Sequence, residues 1–182
     1  HPARAGGGVW HRGLDVVAVV SESKDGSEAP ERQVVLTLIG RVNVGKSTLC
    51  NAILRREVTS VDPRAGWTKE VTLFPLSDEL ALADTPGLDD PNPAVAGRAF
   101  DFVGHSDLFL HLHNLDEGVG HSAREALARL RESGPPVAVV FNKGDLVPAA
   151  ERPARLAQET EKLGAQGLPI FVTSAMSGEG LP

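Results

Sequence analysis

The fold of this 182-residue chain is decided by the stretch Gly40-Arg41-Val42-Asn43-Val44-Gly45-Lys46-Ser47. The stretch has the pattern GxxxxGKS, and it follows the apolar run 34–39 and precedes the helix-like segment 47–54. Glycines at both ends let the backbone turn tightly and point its N–H groups at phosphate oxygens, while the positive end of the following helix faces the same anion. The order of strand, loop and helix therefore predicts a phosphate-binding loop, which we prefer to a chance glycine turn.

Side chains of this loop supply the charges that a bound nucleotide and its metal ion require. Lys46 is expected to place a positive charge at the β- and γ-phosphates, and Ser47 is expected to ligate Mg²⁺. The residues that we expect the nucleotide to contact here are Asn43, Val44, Gly45, Lys46, Ser47 and Thr48.

A second motif, Asp84-Thr85-Pro86-Gly87, follows the apolar run 80–83. The carboxylate of Asp84 is therefore expected at the end of a strand, where it can reach Mg²⁺ directly or through a water molecule. Gly87 can bring its N–H to the γ-phosphate. Alone, the motif is a routine turn after a strand, but its place after a phosphate loop favours the functional interpretation.

A third motif, Asn142-Lys143-Gly144-Asp145, follows the apolar run 137–141 and identifies the base. Guanine offers two donors, at N1 and the exocyclic N2, which one carboxylate accepts as a pair, whereas adenine presents an acceptor at N1. Asp145 is therefore predicted to read guanine, with Asn142 bracing the loop and Lys143 lying along the sugar and base. Backbone N–H groups of Ser174-Ala175 are expected to meet the guanine oxygen.

In this order, the motifs resemble those of the translation-factor-related P-loop GTPases, and within them the Era/TrmE/EngA group. The resemblance covers residues 34–181, most of the chain. It implies a switch that binds GTP or GDP with Mg²⁺. By position it assigns phosphate and Mg²⁺ to Lys46 and Ser47, the second switch to Asp84 and Gly87, and guanine to Asn142 and Asp145.

The same resemblance implies which residues act in hydrolysis. Thr68 is expected to close on Mg²⁺ and the γ-phosphate only in the GTP state, although its neighbour Trp67 departs from the small hydroxyl residue usual in the group. Leu88 follows the second-switch glycine, where many small GTPases carry a glutamine that orients the attacking water, and leucine cannot hydrogen-bond. Several relatives use K⁺ held partly by an asparagine at the position of Asn43, for which a plain polar turn residue is the alternative. The expected catalytic set is Lys46, Thr68, Gly87 and Asn43.

Strand-like and helix-like segments alternate along the chain, which predicts an α/β fold with a mostly parallel sheet and helices on both faces. Apolar residues recur at helical spacing in 123–130 and 156–163. The short runs 71–76 and 80–83 predict a hairpin. The resemblance makes this a three-layer P-loop sandwich, in which a six-stranded sheet contains one antiparallel strand.

Length and composition bound the domain organisation. A chain of 182 residues with 41% apolar residues fits one α/β domain. We expect a GTPase domain over residues 34–182, lacking its final helix and any downstream domain, after an N-terminal extension and linker over residues 1–33. Within the extension, the run 14–20 fits either an extra strand or a short amphipathic helix.

The net charge of −6 argues against broad attraction to nucleic acid but leaves a local RNA site open at the arginines of 124–131. A protein or RNA effector and a nucleotide-dependent dimer are the expected partners. No run approaches the length of a membrane span, and the single cysteine makes a reducing, cytoplasmic location the default. Peripheral membrane attachment through further regions stays open.

Two residue types suggest other sites but are assigned structural roles. Cys50 lies among apolar residues and is predicted to be a small buried side chain. His111 and His113 share one face of a predicted strand, but two histidines without a third ligand are too few for a metal site.

Three functions fit these motifs. The favoured one is a GTP-hydrolysing switch with slow intrinsic turnover, because Leu88 leaves the attacking water poorly oriented. A non-hydrolysing guanine-nucleotide-binding module would share every nucleotide residue. A P-loop phosphotransferase or ATPase is disfavoured by the guanine-reading motif 142–145.

Overall fold

Strands and helices alternate in the computed structural model, which describes residues 16–18, 33–54, 71–88 and 92–181. The strands are β1 (Val16–Ala18), β2 (Val34–Gly40), β3 (Val71–Pro75), β4 (Leu80–Asp84), β5 (Leu108–Asn114), β6 (Val137–Asn142) and β7 (Ile170–Val172). The helices are α1 (Lys46–Leu54), α2 (Pro93–Asp101), α3 (Ala123–Glu132) and α4 (Arg152–Leu163), with 3₁₀ turns at Phe102–His105 and Gly144–Leu146.

The described strands form one sheet in the order β1-β3-β4-β2-β5-β6-β7. Strands β2, β4, β5, β6 and β7 pair in parallel, and β3 pairs antiparallel to β4. The predicted mostly parallel sheet and its hairpin are therefore confirmed. Strand β1 adds a seventh strand parallel to β3, so the strand alternative holds for part of the run 14–20.

Helices cover both faces of the sheet, which explains why its central strands are buried along most of their length. Every residue of β6 is buried. On one face, α3 and α4 pack against a cluster that contains Phe109 and Phe141. On the other, α1 packs against a cluster that contains Leu112 and Val140, and Cys50 of α1 is fully buried in it, as predicted.

Parallel pairing brings the carboxyl ends of β2, β4, β5, β6 and β7 to the same edge of the sheet. In open α/β sheets this edge is where ligands bind. The three motifs and the loop at Ser174-Ala175 follow β2, β4, β6 and β7, so the fold gathers them there. No helix within the described residues has the length and apolarity that crossing a bilayer would require.

Candidate functional site

The loop between β2 and α1 turns tightly because two of its residues adopt positive φ, Asn43 at 67° and Gly45 at 95°. Glycine tolerates this conformation freely and asparagine better than most other side chains. The loop starts at Gly40, where a Cβ atom would lie 2.5 Å from the carbonyl oxygen of Leu112. Only glycine therefore lets the end of β2 approach β5 so closely.

Lys46 lies folded across its own loop. Its Nζ donates hydrogen bonds to the carbonyl oxygens of Gly40 at 3.0 Å and Arg41 at 2.8 Å, and the residue is only 7% exposed. A buried ammonium group needs such partners. Phosphate oxygens offer the same kind of acceptor with a negative charge, so the side chain is suited to an anion at the mouth of the loop.

Ser47 and Asp84 form a polar pair at the start of α1. The Ser47 hydroxyl donates to Oδ2 of Asp84 at 2.7 Å, and Asp84 is 1% exposed. Its other oxygen, Oδ1, is buried without a hydrogen-bond partner among the described residues. Burial raises the pKa of Asp84 above its usual value, against the opposing effects of the Lys46 charge and the Ser47 hydrogen bond. A buried carboxylate oxygen beside a hydroxyl is the hard oxygen set that Mg²⁺ prefers, so these residues fit the ion.

The segment after β4 presses against the phosphate loop. A Cβ atom on Gly87 would overlap Cγ2 of Val42 and lie 2.8 Å from the Val42 nitrogen. The next N–H, of Leu88, donates to the Gly40 carbonyl at 3.1 Å. The Leu88 side chain packs against the apolar cluster under α3 and α4. The Leu88 side chain is therefore packed into the core, and it has no group that could orient water.

Asn142, at the end of β6, joins three loops through one buried side chain. Its Nδ2 donates to the Val44 carbonyl of the phosphate loop at 3.1 Å. Its Oδ1 accepts from the N–H of Ala175 at 3.1 Å and from the hydroxyl of Thr173 at 3.3 Å. The residues expected to read the base therefore stand in direct contact with those expected to hold the phosphates.

The rest of the 142–145 motif forms a tight turn. Lys143 takes a left-handed backbone conformation, with φ at 62°. The Gly144 N–H donates to the Thr173 carbonyl at 3.0 Å, which fixes the turn against the end of β7. Asp145 is exposed, and no hydrogen bond within the described part of the chain takes up its carboxylate. Its acceptor oxygens therefore face solvent on a rigid turn.

The N–H groups at Ser174-Ala175 already have acceptors. The Ser174 N–H donates to the Glu179 carbonyl at 2.9 Å, and the Ala175 N–H donates to Oδ1 of Asn142. A guanine oxygen would have to share the Ala175 N–H with Asn142, as a bifurcated hydrogen bond allows. Of the other predicted site residues, Thr68 lies outside the described residues.

Sequence reasoning missed Glu159, a fully buried acid on α4. Its Oε2 accepts from the Val119 N–H at 2.8 Å, and its Oε1 accepts from Lys162 at 2.8 Å and lies 3.6 Å from a nitrogen of Arg155. Burial acts to raise the pKa of Glu159, but the hydrogen bonds from Lys162 and Val119 and the charge of Arg155 lower it overall. This cluster ties α4 to the loop after β5. The available signal was its position, three residues after Leu156 and therefore on the same side of the predicted helix.

His111 and His113 are buried beside the phosphate loop, with ring centroids 4.3 Å apart. Nδ1 of His111 and Nε2 of His113 have no hydrogen-bond partner among the described residues. Burial lowers the pKa of both histidines. The pKa of His113 falls to about 4, because the charge of Arg41 adds to the effect of burial and the charge of Glu159 opposes it only in part. Both rings are therefore neutral at pH 7. No group of three or more histidine, cysteine, aspartate or glutamate side chains among the described residues is arranged to hold a metal ion, and the structural role of the two histidines stays a prediction.

This burial predicts an acid-sensitive fold. The unfolded state binds a proton at His113 near pH 6.5 and the folded state only near pH 4. The free energy of unfolding should therefore fall as the pH drops through this interval, by roughly 3 kcal/mol for His113 alone. In denaturant titrations across this range, the free energy of unfolding should depend clearly less on pH in His113→Val than in wild type. The exposed histidine variant His121→Gln is the control, and a slope unchanged in His113→Val would contradict the prediction.

Comparison with known proteins adds evidence of a different kind. A family model described as 50S ribosome-binding GTPase matches residues 35–143. GTPase Era of Caldanaerobacter subterraneus subsp. tengcongensis is 36% identical over 121 residues, which are 63% of this chain and 41% of that protein. GTPase Der of Lacticaseibacillus casei is 32% identical over 144 residues, which are 74% of this chain and 33% of that protein.

Solved structures agree. An Era variant from Aquifex aeolicus bound to GDP·AlF₄⁻ superposes with a TM-score of 0.69 at 27% identity, over 81% of this chain and 53% of that chain. Era in complex with MgGDPNP and nucleotides 1506–1542 of 16S ribosomal RNA gives a TM-score of 0.67 at 25% identity, with the same coverage. The chain spans about half the length of these two solved relatives.

Proposed function

Because this chain belongs to the family of 50S ribosome-binding GTPases, we propose that it binds GTP with Mg²⁺ and hydrolyses it to GDP and phosphate as a molecular switch. The observation that carries the proposal is the hydrogen bond from Asn142 Nδ2 to the Val44 carbonyl. It holds the turn 142–145, which we propose reads guanine, against the phosphate loop, so one nucleotide can span both. The GTPase domain of this proposal is residues 34–182, preceded by an extension over residues 1–33.

In this proposal the phosphates lie in the loop 43–48, with Lys46 exchanging its two carbonyl partners for phosphate oxygens. Ser47 and Asp84, with Thr68 in the GTP state, would hold Mg²⁺. The ion supplies charge neutralisation at the β- and γ-phosphates. Gly87 offers its N–H to the γ-phosphate, and its close approach to Val42 couples that contact to the phosphate loop.

The base site is built from the two turns after β6 and β7. Asp145 accepts both donors of guanine, and its exposed position on a fixed turn leaves both oxygens available. Lys143 lies along the sugar and base. Ala175, next to Ser174, shares its N–H between Asn142 and the guanine oxygen.

Slow intrinsic turnover follows from the apolar anchoring of Leu88, because no side chain at that position orients the attacking water. The same observation favours the second candidate, a module that holds GTP or GDP without useful hydrolysis. Single-turnover cleavage of bound GTP separates the two functions. Cleavage that stays at the rate of free GTP would leave only the binding module.

Base choice is tested by competition. If Asp145 reads guanine, GTP should displace a fluorescent GDP analogue at concentrations at which ATP does not. If ATP competes as well as GTP, a phosphotransferase or ATPase becomes the better description. If neither nucleotide competes, the proposed function fails as a whole.

We propose that K⁺, with Asn43 as one ligand, compensates for the lack of a water-orienting side chain at Leu88. Asn43 is exposed at the mouth of the loop in a backbone conformation that glycine can keep. Turnover of GTP should be about tenfold faster in KCl than in NaCl, through added positive charge at the phosphates. The variant Asn43→Gly removes the amide without backbone strain and should lose most of this stimulation while still binding GDP. Equal rates of the wild type in the two salts would refute the role of K⁺.

We further propose an RNA or protein effector that distinguishes the GTP and GDP states. The solved Era complex contains a 16S ribosomal RNA fragment, which supports an RNA partner. The three arginines of α3 share the helix with Glu125 and Glu132, so its exposed face is of mixed charge and any RNA contact there would be local. A nucleotide-dependent dimer and a cytoplasmic location stay predictions.

A further inference from the structure

The base site is built from two turns that hydrogen bonds join near the ends of their strands. The first, residues 143–147, follows β6, and the second, residues 173–179, follows β7. The Gly144 N–H to Thr173 carbonyl bond joins them where the strands end. Farther out the second turn is exposed, and Met176 at its tip is 82% exposed. A contact farther out would hold the outer parts of the two turns at a fixed separation.

The second turn is closed by its own backbone. The Gly178 N–H donates to the Ser174 carbonyl, and the Ser174 N–H donates to the Glu179 carbonyl, both at 2.9 Å. The position of Ser174 is thus set by Glu179. Ala175 follows Ser174, and its N–H is proposed to meet the guanine oxygen. A displacement of Glu179 would therefore move a group that contacts the base.

Arg152, the first residue of α4, reaches both turns. Its Nε donates to the Val147 carbonyl, the last residue of the first turn, at 2.9 Å. Its Nη1 donates to Oε1 of Glu179, at the end of the second turn, at 2.8 Å. The guanidinium group is planar, so these two donors are held at a fixed geometry that lysine could not reproduce.

We propose that Arg152 and Glu179 are positioning residues that clamp the two base-site turns together and so set the residence time of bound guanine nucleotide. The inference rests on the proposed function and adds two residues that none of the nucleotide motifs contains. Among the described residues, neither side chain hydrogen-bonds to the phosphate loop, so we expect the clamp to act on nucleotide release and not on the cleavage step.

The size of the effect follows from exposure. The side chains of Arg152 and Glu179 are 25% and 52% exposed, so water screens their ion pair. Pairs of this kind contribute modestly, and losing the clamp should speed the release of GDP by about 3- to 5-fold. That change is well within the range of stopped-flow measurement with a fluorescent GDP analogue.

The experiment is a double-mutant cycle on the full chain, with Arg152→Ala, Glu179→Ala and the double variant. Each single variant should release the GDP analogue faster than wild type, and the double variant should release it no faster than Arg152→Ala. Single-turnover cleavage of bound GTP should be unchanged in all three. Arg131→Ala, which removes an exposed arginine from the last turn of α3, is the charge-matched control and should behave as wild type.

Several outcomes overturn the clamp. One is an Arg152→Ala variant that releases the GDP analogue at the wild-type rate. Another is a double variant in which the free-energy effects of the two single substitutions on release are additive. Equally fast release from Arg131→Ala would show a general effect of the protein's net charge. If the wild-type chain binds no GDP analogue at all, the proposed function is at fault.

Discussion

Changing Asp145 to Asn is expected to convert the chain from a binder of guanine nucleotides to a binder of xanthine nucleotides. The Asp145 carboxylate is exposed on the turn after β6, and no protein hydrogen bond within the described residues competes for it. Guanine presents two donors to this carboxylate, at N1 and N2. An asparagine amide offers one acceptor and one donor, so one guanine donor is left facing another donor.

Xanthine reverses the mismatch, because a carbonyl oxygen replaces the exocyclic amine of guanine. Loss of one charge-assisted hydrogen bond and a donor placed against a donor should weaken GDP by about 100-fold. Competition against a fluorescent GDP analogue, with GDP and xanthosine diphosphate as competitors, measures the exchange. Asp78→Asn, in the exposed turn between β3 and β4, is the control. An Asp145→Asn variant that still prefers GDP would show that another residue reads the base.

Gly45→Ala is expected to abolish nucleotide binding and to destabilise the fold. Gly45 has φ at 95°, a conformation that strains any residue with a Cβ atom. Its added methyl group would also overlap Nδ2 of Asn142. Moving that amide breaks its hydrogen bond to the Val44 carbonyl and disturbs the one from Ala175. A single methyl group therefore damages the phosphate loop and the base site together.

Strain and the lost buried hydrogen bond should lower the free energy of unfolding by about 2–4 kcal/mol, and GDP affinity should fall by at least about 100-fold. Denaturant titration and equilibrium binding measure the two effects. Gly97→Ala is the control, because a Cβ atom there meets nothing within 4 Å on α2. It should keep full binding and gain about 0.5–1 kcal/mol of stability. Wild-type GDP affinity in Gly45→Ala would refute the steric argument.

The sequence predicted the sheet and the location of the candidate site because both depend on local patterns. Apolar runs mark the strands, and the turn after each run carries its motif at a fixed distance from the strand end. Parallel pairing then gathers the turns at one edge, whatever the details of packing. The predicted hairpin at 71–83 followed from two short runs split by three polar residues.

The sequence could not show contacts made between distant turns. Arg152 and Glu179 are 27 residues apart and meet only because β6 and β7 are neighbours. Periodicity predicted the buried stripe of α4 only in part. Leu163 is buried and Leu156 packs against the core, but periodicity did not reveal Glu159, which is fully buried with Lys162 and Arg155 beside its carboxylate. Hydrophobic patterns cannot reveal a buried acid that is stabilised by two cations of its own helix and by a backbone N–H of the loop after β5.

If one nucleotide spans both sites as proposed, the contact of Asn142 with Val44 also determines how its two halves act on one another. A side chain that fixes the distance between two subsites makes the linker of a bivalent ligand effective, since the second half then binds at a high local concentration. Guanosine and pyrophosphate supplied as separate molecules should therefore bind far more weakly than GDP. Without the hydrogen bond between Asn142 and Val44, GDP would lose its gain in affinity over the separate halves, even if both subsites kept all of their own contacts.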